Sequence, residues 1–402
     1  MLSLERYTVL DLSRMLPGPF ASHVLADMGM RVTRVEETEA RYGMGRDVLT
    51  PADLSPQDEV RYTAFNVLAR NKRSIALNLL EPSMRPASQE VFYALAKQAD
   101  VILEGYRPGA VSWMGVDYET VKRHNPKIVY CSLTGFGQDG PYAKYPGHGT
   151  QFDALGGTIL LDDAGYPISH PVPLGDVSGA LYATTCIVAA LLNREMTGEG
   201  VHIDVPLSAT AMSLMAPAAS RLARTSGAER NFNRDRAPLT YLKCQDGKWL
   251  TTSNAETIFW QNFCKALGRE DWMPLYRKRG PEANAMFHEV ESLFLTKTRP
   301  EWLTLLAGAE TCVAPINDIG EAMDDPQLRH VGMVWDINHP NVGTVRQLGF
   351  PVRFSGEQVQ PGRLAPMLGE HTREVLAEAG YSASQIAGLE AKRIVKTWKG
   401  ID

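Results

Sequence analysis

Residues 7–35 read YTVLDLSRMLPGPFASHVLADMGMRVTRV, and this stretch decides the fold class. Tyr7–Leu12 is apolar enough for a buried strand, and Arg31–Val35 has the same character. Between them, Phe20–Met28 carries small and apolar residues at helical spacing, and Gly29 follows where the end of a helix favours a left-handed residue. A strand, a helix and a second strand over about 30 residues predict a parallel βαβ unit.

The same alternation continues along the chain. It predicts helices over Ser88–Gln98 and Ala110–His124, and strands over Val101–Glu104 and Ile128–Leu133. Alternating strands and helices build a mainly parallel sheet with helices on both faces, so the fold class is α/β. The loop after the first strand, Arg14–Pro19, lacks the G-x-G-x-x-G pattern of dinucleotide-binding folds, which disfavours an NAD(P) enzyme.

The composition is that of a globular protein and excludes several classes. The chain has 402 residues, 44% of them hydrophobic, and its net charge of −5 argues against a nucleic-acid partner or a polybasic membrane anchor. Five cysteines without a CxxC pair and nine scattered histidines indicate neither a disulfide framework nor a metal site. The apolar stretch Ala180–Leu192 is too short for a bilayer and no secretory signal is visible, so we expect a cytoplasmic protein without membrane association.

Changes in the residue pattern predict two domains. Residues 226–238 are polar and irregular, as in a linker. A hairpin over Tyr241–Ser253 and helices over Glu256–Leu267 and Ala283–Leu295 follow, which is typical of a smaller α+β unit. A last helix is predicted over His371–Ala379. The predicted divisions are a large domain from 1–225, the linker at 226–238, a small α+β domain over 239–330, and a return linker and C-terminal segment over 331–402 that packs on the large domain.

A lone carboxylate, Asp176, stands where an extended segment gives way to a helix of small residues. It follows Gly175 in His170-Pro-Val-Pro-Leu-Gly-Asp-Val-Ser-Gly-Ala-Leu-Tyr182, and the helix is predicted over Val177–Arg194. Local chemistry favours a helix N-cap, because an aspartate oxygen accepts a hydrogen bond from an unpaired N–H of the first turn. The position also suits a covalent nucleophile, with N–H groups of that helix or of Gly156–Gly157 as candidate donors to an oxyanion.

A series of motifs spans nearly the whole chain in order. It begins with Arg70-Asn-Lys-Arg-Ser-Ile75, in which three cations in four positions suit a phosphate. It continues with Val101-Ile-Leu-Glu-Gly-Tyr-Arg-Pro-Gly-Ala-Val-Ser-Trp-Met-Gly115, Ser132-Leu-Thr-Gly-Phe-Gly-Gln-Asp-Gly-Pro-Tyr142, Gly175-Asp176, Leu191-Leu-Asn-Arg-Glu-Met-Thr-Gly-Glu-Gly200 and Ala365-Pro-Met-Leu-Gly-Glu-His371. The series resembles the class III CoA-transferases, also called the formyl-CoA transferase or CaiB/BaiF type.

The resemblance implies a Rossmann-like large domain, a small α+β domain and a homodimer of two interlocked rings. It implies an enzyme that moves CoA from an acyl-CoA to a carboxylic acid, without a tightly bound cofactor. Three arginines near the predicted linker, Arg221, Arg224 and Arg230, suit the second carboxylate of a dicarboxylic acid. By motif match, Asp176 is the nucleophile and passes through aspartyl anhydride and aspartyl-CoA thioester intermediates. The residues implied in CoA binding are Pro17, Asn71, Lys72, Arg73, Gly105, Tyr106, Arg107, Trp113, Met114 and Tyr142. The chain departs from the family at Glu37-Thr38, where relatives often carry Arg-Pro and a phosphate contact is expected.

A second activity stays open, that of the α-methylacyl-CoA racemases in the same superfamily. There a histidine faces an Asp/Glu pair across the α-carbon, and His148, Asp176 and Glu256 fall on the matching positions. Two acid–base groups on opposite faces suit inversion, and a neutral histidine is well tuned near neutral pH. Gly149 stands where racemases carry an aspartate, which favours the transferase. A non-catalytic subunit of a heteromeric CoA-transferase is a third alternative, disfavoured because Asp176 is present.

Overall fold

The computed structural model describes residues 4–38, 54–162, 164–225, 241–278, 280–360 and 362–400. The chain divides into two compact units, one formed by Met1–Ser220 with Gln327–Asp402 and the other by Arg221–Pro326. The linker predicted at 226–238 lies outside the described residues.

A seven-stranded sheet organises the first unit. The strands of the chain are β1 Thr8–Asp11, β2 Arg31–Glu36, β3 Lys72–Leu77, β4 Val101–Glu104, β5 Val129–Thr134, β6 Leu160–Leu161, β7 Pro167–Ile168, β8 Val201–Pro206, β9 Tyr241–Lys243, β10 Trp249–Thr252, β11 Val313–Pro315, β12 Val334–His339, β13 Gly343–Leu348, β14 Arg353–Phe354, β15 Glu357–Gln358 and β16 Val395–Lys396. The large sheet has the order β16-β3-β2-β1-β4-β5-β8, parallel throughout except for β16. The predicted α/β fold is confirmed. The strand order reverses between β1 and β4, where doubly wound sheets form their ligand crevice.

The helices follow the predicted alternation with two corrections. They are α1 Pro17–Asp27, α2 Pro56–Ala64, α3 Arg85–Ala96, α4 Ala110–Met114, α5 Tyr118–His124, α6 Gly149–Gly156, α7 Leu174–Thr197, α8 Leu207–Ser213, α9 Ala216–Arg224, α10 Thr257–Ala266, α11 Pro281–Phe294, α12 Arg299–Ala307, α13 Ile319–Asp324, α14 Pro326–His330, α15 Thr372–Glu378 and α16 Ala383–Ala391. The single helix predicted over 110–124 is wrong, because Gly115 takes φ +72 and ends α4, and Asp117 then caps α5. The helix near 371–379 is not the last one, since α16 and β16 follow it.

Each face of the large sheet covers its own hydrophobic core. Leu10 and Ile102 belong to a core that includes residues of α3, α5 and α15, whereas Val9 and Leu103 belong to the core beneath α1, α7 and α8. Successive residues of a strand point to opposite faces, so a strand covered on both sides must be apolar almost throughout. This explains the nearly continuous apolar runs of β1 and β4.

The 24-residue helix α7 extends three residues beyond each end of its predicted range. This helix is long and apolar enough to span a membrane. The shorter stretch considered in the sequence, Ala180–Leu192, is not. Half of its most apolar window is buried in the protein, where it packs on α1, α6, α8, β5 and β8. That burial is typical of a core helix of a globular protein.

The second unit is a small α+β structure. Its antiparallel sheet has the order β11-β10-β9, and its core is rich in aromatic side chains such as Trp260, Phe263, Trp272 and Trp302. The predicted hairpin is present as β9 and β10, and Gly247 in its turn takes φ +78.

Candidate active site

Asp176 lies in the first turn of α7, at the carboxyl edge of the large sheet. α7 packs on β5 and leads into the parallel strand β8, so its N-terminal end is on the side where the parallel strands end. This is the edge at which open α/β sheets bind their ligands.

The N-terminus of α7 is capped by another helix. Both oxygens of Asp153 in α6 accept hydrogen bonds from the start of α7, at 2.7 Å from the Gly175 nitrogen and 3.1 Å from the Leu174 nitrogen. The residue at the N-cap position of α7 is Pro173, whose side chain cannot cap. The expectation that Asp176 is the cap is therefore wrong: Asp153 takes that role, and the carboxylate of Asp176 is free for chemistry.

The Asp176 carboxylate is buried and incompletely hydrogen-bonded. The residue is 8% exposed, and within the described part of the chain its Oδ1 has no hydrogen-bond partner. Burial, and to a smaller degree the negative charge of Asp153, raises the pKa of Asp176 to about 6. At neutral pH the group is still ionised, and it lacks the water shell that would weaken it as a nucleophile.

Glycines allow three helices to meet around this carboxylate. A Cβ on Gly149, the first residue of α6, would lie 2.3 Å from Cβ of Pro173 and 3.1 Å from Oδ2 of Asp176. A Cβ on Gly175 would lie 2.9 Å from the Leu207 carbonyl oxygen, and one on Gly179 would lie 2.3 Å from the Leu207 side chain. Real side chains do not fit at such distances, so the small residues of α7 serve close helix packing.

Gly156 and Gly157 are not at the site. They end α6, whereas the opposite end of α6 abuts Asp176, about 10 Å away along the helix axis. A Cβ on Gly156 would lie 2.5 Å from Cβ of Ala211, so this glycine allows α6 to pack on α8. The expectation that this pair supplies oxyanion donors is wrong. The backbone at the start of α6 is the better-placed candidate.

The two other predicted acid–base residues lie in different places. His148 precedes Gly149 at the start of α6, is exposed, and its N–H donates to the Gln151 side chain at 2.9 Å. It therefore belongs to the same corner of the fold as Asp176. Glu256 precedes α10 in the second compact unit and is exposed.

The loops that follow β1 and β4 meet at the reversal of strand order. Pro17 is the first residue of α1, and a Cβ on the next residue, Gly18, would lie 2.0 Å from Cβ of Ser13, so this loop is tightly folded. A Cβ on Gly105 would lie 3.7 Å from the same Ser13 atom. The Arg14 guanidinium stands 4.2 Å from the ring centre of Tyr106. The predicted residues Pro17, Gly105 and Tyr106 thus lie on two loops that meet where sheets of this kind form their ligand crevice.

A buried carboxylate supports this crevice from below. Glu104 ends β4, is fully buried, and accepts the Tyr106 N–H at 2.7 Å. Burial raises the pKa of Glu104 to about 7, and burial likewise raises the pKa of Tyr106 to about 12.

Three further predicted residues are exposed around this edge. Arg107 follows Tyr106 at the surface. Trp113 on α4 is 54% exposed, and the Arg85 guanidinium lies 3.5 Å from its ring centre. Tyr142 is half exposed and packs against Phe136 and Tyr145. All three side chains are accessible to a ligand.

Four predicted CoA-binding side chains are directed elsewhere. Lys72 is fully buried, with its Nζ 2.6 Å from the Ser22 hydroxyl, and Met114 lies in the hydrophobic core. Asn71 donates to Asp27 and accepts from the backbone of Gly362 and Arg363. Arg73 pairs with Glu374 and Glu378 of α15. Lys72 and Arg73 are the first two residues of β3, so their side chains point to opposite covered faces of the sheet, whereas Arg70 and Asn71 precede the strand.

Sequence reasoning missed Asp153 and Arg14. Asp153 sits within α6, 22 residues before the N–H that it caps, and no local pattern connects the two. Arg14 stands in the loop from which only Pro17 is predicted to bind CoA. Its place after the first parallel strand was the available signal, because loops at the carboxyl edge line the ligand crevice.

Comparison with known proteins shows the family of the chain. The family model described as CoA-transferase family III matches residues 4–372. The chain belongs to CoA-transferase family III. The family III relatives include mouse succinyl-CoA:glutarate CoA-transferase, 32% identical over 388 residues, with 94% of this chain and 86% of the relative covered.

Two further relatives of this family III chain match along nearly their whole length. Formyl-CoA:oxalate CoA-transferase of Escherichia coli O157:H7 is 29% identical over 425 residues, covering 98% of this chain and 99% of the relative. The crystal structure of a CAIB/BAIF family protein from Brucella suis superposes with a TM-score of 0.79 at 26% identity, covering 94% and 99%. The protein is therefore an enzyme that transfers CoA and uses CoA thioesters and carboxylic acids as substrates. Among the described residues of this family III enzyme, no group of three His, Cys, Asp or Glu side chains is placed to hold a metal ion.

Proposed function

We propose that this CoA-transferase works by covalent catalysis on Asp176. The observation that carries the proposal is the state of that carboxylate: it is buried, Oδ1 has no hydrogen-bond partner among the described residues, and the helix-capping role falls to Asp153. An ionised carboxylate that is buried without a full set of hydrogen bonds destabilises the fold. Such a group is typical of a catalytic residue rather than of a structural one.

Four exchanges complete the transfer. An Asp176 oxygen attacks the thioester carbonyl of the donor, the C–S bond breaks, and an aspartyl anhydride and CoA thiolate result. The thiolate attacks the aspartyl carbonyl, which releases the donor acid as a carboxylate and leaves an aspartyl-CoA thioester. The acceptor carboxylate displaces the thiolate to form a second anhydride, and the thiolate then attacks the acceptor carbonyl and restores Asp176. Each step exchanges one acyl bond for another, so no net proton transfer is needed.

The surroundings of Asp176 suit this sequence. Anhydrides and thioesters hydrolyse readily, so a carboxylate that is 8% exposed protects them from water. Gly149 at the start of α6 lies against the carboxylate, which supports a role for the positive end of this helix in stabilising the negative charge on the attacked carbonyl. We further propose that CoA itself lies along the crevice formed by Pro17, Gly105 and Tyr106, with Arg107, Trp113 and Tyr142 at its rim.

We propose a dicarboxylic acid as the acceptor. The relatives are named for succinyl-CoA with glutarate and for formyl-CoA with oxalate, and each name contains a dicarboxylic acid. A panel of succinyl, glutaryl and formyl donors against mono- and dicarboxylic acids, followed by chromatography of the CoA esters, tests this choice. Transfer to monocarboxylic acids alone would contradict it.

Trapping the intermediates tests the covalent mechanism. The enzyme is incubated with a competent acyl-CoA and hydroxylamine, which converts an activated aspartyl carbonyl to a hydroxamate, and the peptides are analysed by mass spectrometry. We expect the mass shift on the peptide that contains Asp176 and on no other, and none in Asp176→Ala. As a matched control, Asp139→Asn, which changes an exposed carboxylate, keeps the shift. Turnover by wild-type enzyme without any trapped aspartate would contradict the mechanism.

The racemase alternative loses support at Gly149. A racemase carries an aspartate there, and even a Cβ at this position meets Pro173 and the Asp176 carboxylate. The enzyme should therefore not introduce deuterium at the α-carbon of a 2-methylacyl-CoA in heavy water. Exchange in the absence of an acceptor acid would revive the racemase.

We propose that the enzyme is an interlocked homodimer of the kind that the family resemblance implies. Exposed apolar side chains form a stripe along one face of α7, comprising Leu181, Val188, Leu192 and Met196. A second copy of the chain would cover this stripe, and no tightly bound cofactor is proposed. The five cysteines are free thiols, which agrees with the reducing cytosol that we propose as its location.

A further inference from the structure

A second cavity lies in the first unit beside the carboxyl ends of β2 and β3. It has a volume of about 1240 Å³ and is lined by residues that directly follow those strands, Glu37 and Asn78 among them. One wall of the cavity comes from the C-terminal tail, defined here as residues 392–400, and the rest of the lining includes residues of α2, α15 and α16. This tail lies beyond residues 4–372, which match the family model. The cavity therefore lies between the sheet edge that belongs to the family match and a segment that lies outside it.

The tail is held firmly against the sheet. Ile394 and Val395 are buried, and β16 pairs with β3 through Val395 opposite Leu77. The Lys396 carbonyl accepts the Thr372 hydroxyl at 2.6 Å, and the Trp398 N–H donates to the Gly369 carbonyl at 3.3 Å. The side chains that this backbone carries into the cavity consequently occupy a fixed wall.

That wall is cationic. The tail contains Lys392, Arg393, Lys396 and Lys399 and no acidic residue, and the last three of these line the cavity together with Trp398. Within the described residues none of these three cations has a carboxylate within ion-pair distance, although the charge of Lys399 helps to lower the pKa of Glu390, which pairs with Arg373 at 2.7 Å. The other acidic residues of the lining, Glu37, Glu59 and Glu81, come from other elements. Positive charge from Arg393 and Lys396 beside the Trp398 indole is suited to a phosphorylated nucleotide.

We propose that the C-terminal tail binds the adenosine nucleotide of CoA, with Arg393, Lys396 and Lys399 on its phosphates and Trp398 against the adenine. The proposal rests on the proposed function, since it takes CoA as the ligand of this edge. It accounts for Glu37 and Thr38, which stand where the family resemblance led us to expect a phosphate contact: the tail supplies the positive charge from the other side of the same cavity.

The order of strands supports this placement. Along the carboxyl edge, the cavity lies at β3 and β2, the Pro17 and Gly105 crevice at β1 and β4, and the start of α7 beside β5. Four strand spacings separate β3 from β5, roughly 19 Å at about 4.8 Å each. A nucleotide in the cavity would thus send its long pantetheine arm through the crevice towards Asp176.

Binding measurements on full-length variants test the tail. CoA and adenosine 3′,5′-bisphosphate are titrated calorimetrically into the wild type, Lys396→Ala/Lys399→Ala and Trp398→Ala, with Lys392→Ala as the matched control from the same segment outside the lining. We expect each of the first two variants to bind both ligands at least roughly tenfold more weakly, the loss typical of one charge-assisted or stacking contact. The KM for acyl-CoA should rise in parallel, while kcat and the KM for the acceptor acid stay unchanged.

The outcomes separate the two proposals. If the wild type binds CoA and the lysine and tryptophan variants bind it equally well, the tail proposal is overturned and the proposed function stands. If the wild type does not bind CoA, both are overturned. Because the lysine side chains are exposed, their variants should melt like the wild type, so they keep the test valid even if Trp398→Ala folds poorly. Trp398→Phe, which keeps an aromatic face, should retain most of the affinity.

Discussion

At the scale of single residues, the proposed role of Asp176 as the nucleophile predicts the pH dependence of the reaction. Burial raises its pKa to about 6, and only the ionised carboxylate is a nucleophile. We expect kcat/KM for the acyl-CoA to be level above pH 7 and to fall about tenfold per pH unit below about 6. Asp176→Ala should lose activity by a factor on the order of 10⁴ or more. A pH–rate profile without an acid limb between pH 5 and 7 would contradict this assignment.

The same residue links catalysis to stability. The folded-state pKa of about 6 exceeds the value of 3.8 for a free aspartate, so folding favours the protonated form. The resulting stability is fully present below about pH 4 and is lost as the pH rises to about 6, above which the ionised group destabilises the fold. We expect Asp176→Asn to raise the unfolding free energy at pH 7.5 by up to about 3 kcal/mol, and therefore to melt at a higher temperature than the wild type.

That gain should vanish at pH 4, where the wild-type carboxyl is itself largely protonated in the folded state. Asp139→Asn, the exposed control, should have little effect at either pH. Thermal melts of the wild type, Asp176→Asn and Asp139→Asn at pH 7.5 and pH 4 measure these differences. A variant less stable than the wild type at pH 7.5 would show that the carboxylate is stabilised by contacts, against the geometry described.

At the scale of secondary-structure elements, the contact of α6 with α7 fixes the position of Asp176, the proposed nucleophile. Asp153→Asn removes the like charge near Asp176 but keeps one acceptor oxygen, so the pKa of Asp176 falls and the acid limb of the pH–rate profile moves to lower pH. Asp153→Ala removes both acceptors and should lower the unfolding free energy by about 1–2 kcal/mol. It should also lower kcat, because the first turn of α7 is no longer fixed.

Asp117 provides the matched control, since it caps α5 by accepting the Thr120 N–H. Asp117→Ala should cost comparable stability and leave the pH–rate profile unchanged. An acid limb that stays in place in Asp153→Asn would indicate that Asp153 acts on the structure of α7 alone.

The start of α6 has no room for a larger side chain at position 149. Gly149→Ala places a Cβ against Pro173 and Asp176, and relieving that overlap should cost about 1–3 kcal/mol of stability and displace the carboxylate. We expect kcat to fall by at least tenfold with a smaller change in the KM for the acceptor. Gly308→Ala is the control, because the added Cβ there meets no atom within 4 Å. Full activity of Gly149→Ala would show that the two helices separate freely.

These contacts also show what the sequence predicts and what it cannot. Apolar periodicity predicts β1, α1, β2 and β4, because each depends on residues adjacent in the chain. The motif series predicts the family and the role of Asp176 as the nucleophile. The role of Asp153 depends on the packing of α6 beside α7, and the inward direction of Lys72 depends on β3 being covered on both faces. Both features depend on how distant segments pack together, and a local pattern of residues does not predict that packing.

At the scale of the whole molecule, the surface of α7 predicts the assembly. Leu192 and Met196 are 64% and 73% exposed on the apolar stripe, and a monomer would present them to water. We expect light scattering to give twice the chain mass of 44.3 kDa. Leu192→Glu/Met196→Glu should lower that mass or the melting temperature, because two charges would be buried without partners. Leu305→Glu, on an exposed site of α12, should do neither.

Interlocking makes a stronger prediction than dimerisation alone, because linked rings cannot part while both chains stay folded. Tagged and untagged dimers mixed under native conditions should form no mixed dimers over days, even at nanomolar concentration. After joint unfolding and refolding, about half of the dimers should be mixed, as random pairing requires. Affinity capture through the tag, followed by quantification of the untagged chain, measures both states. Exchange without unfolding would mean that two chains dock through the α7 stripe as separable bodies.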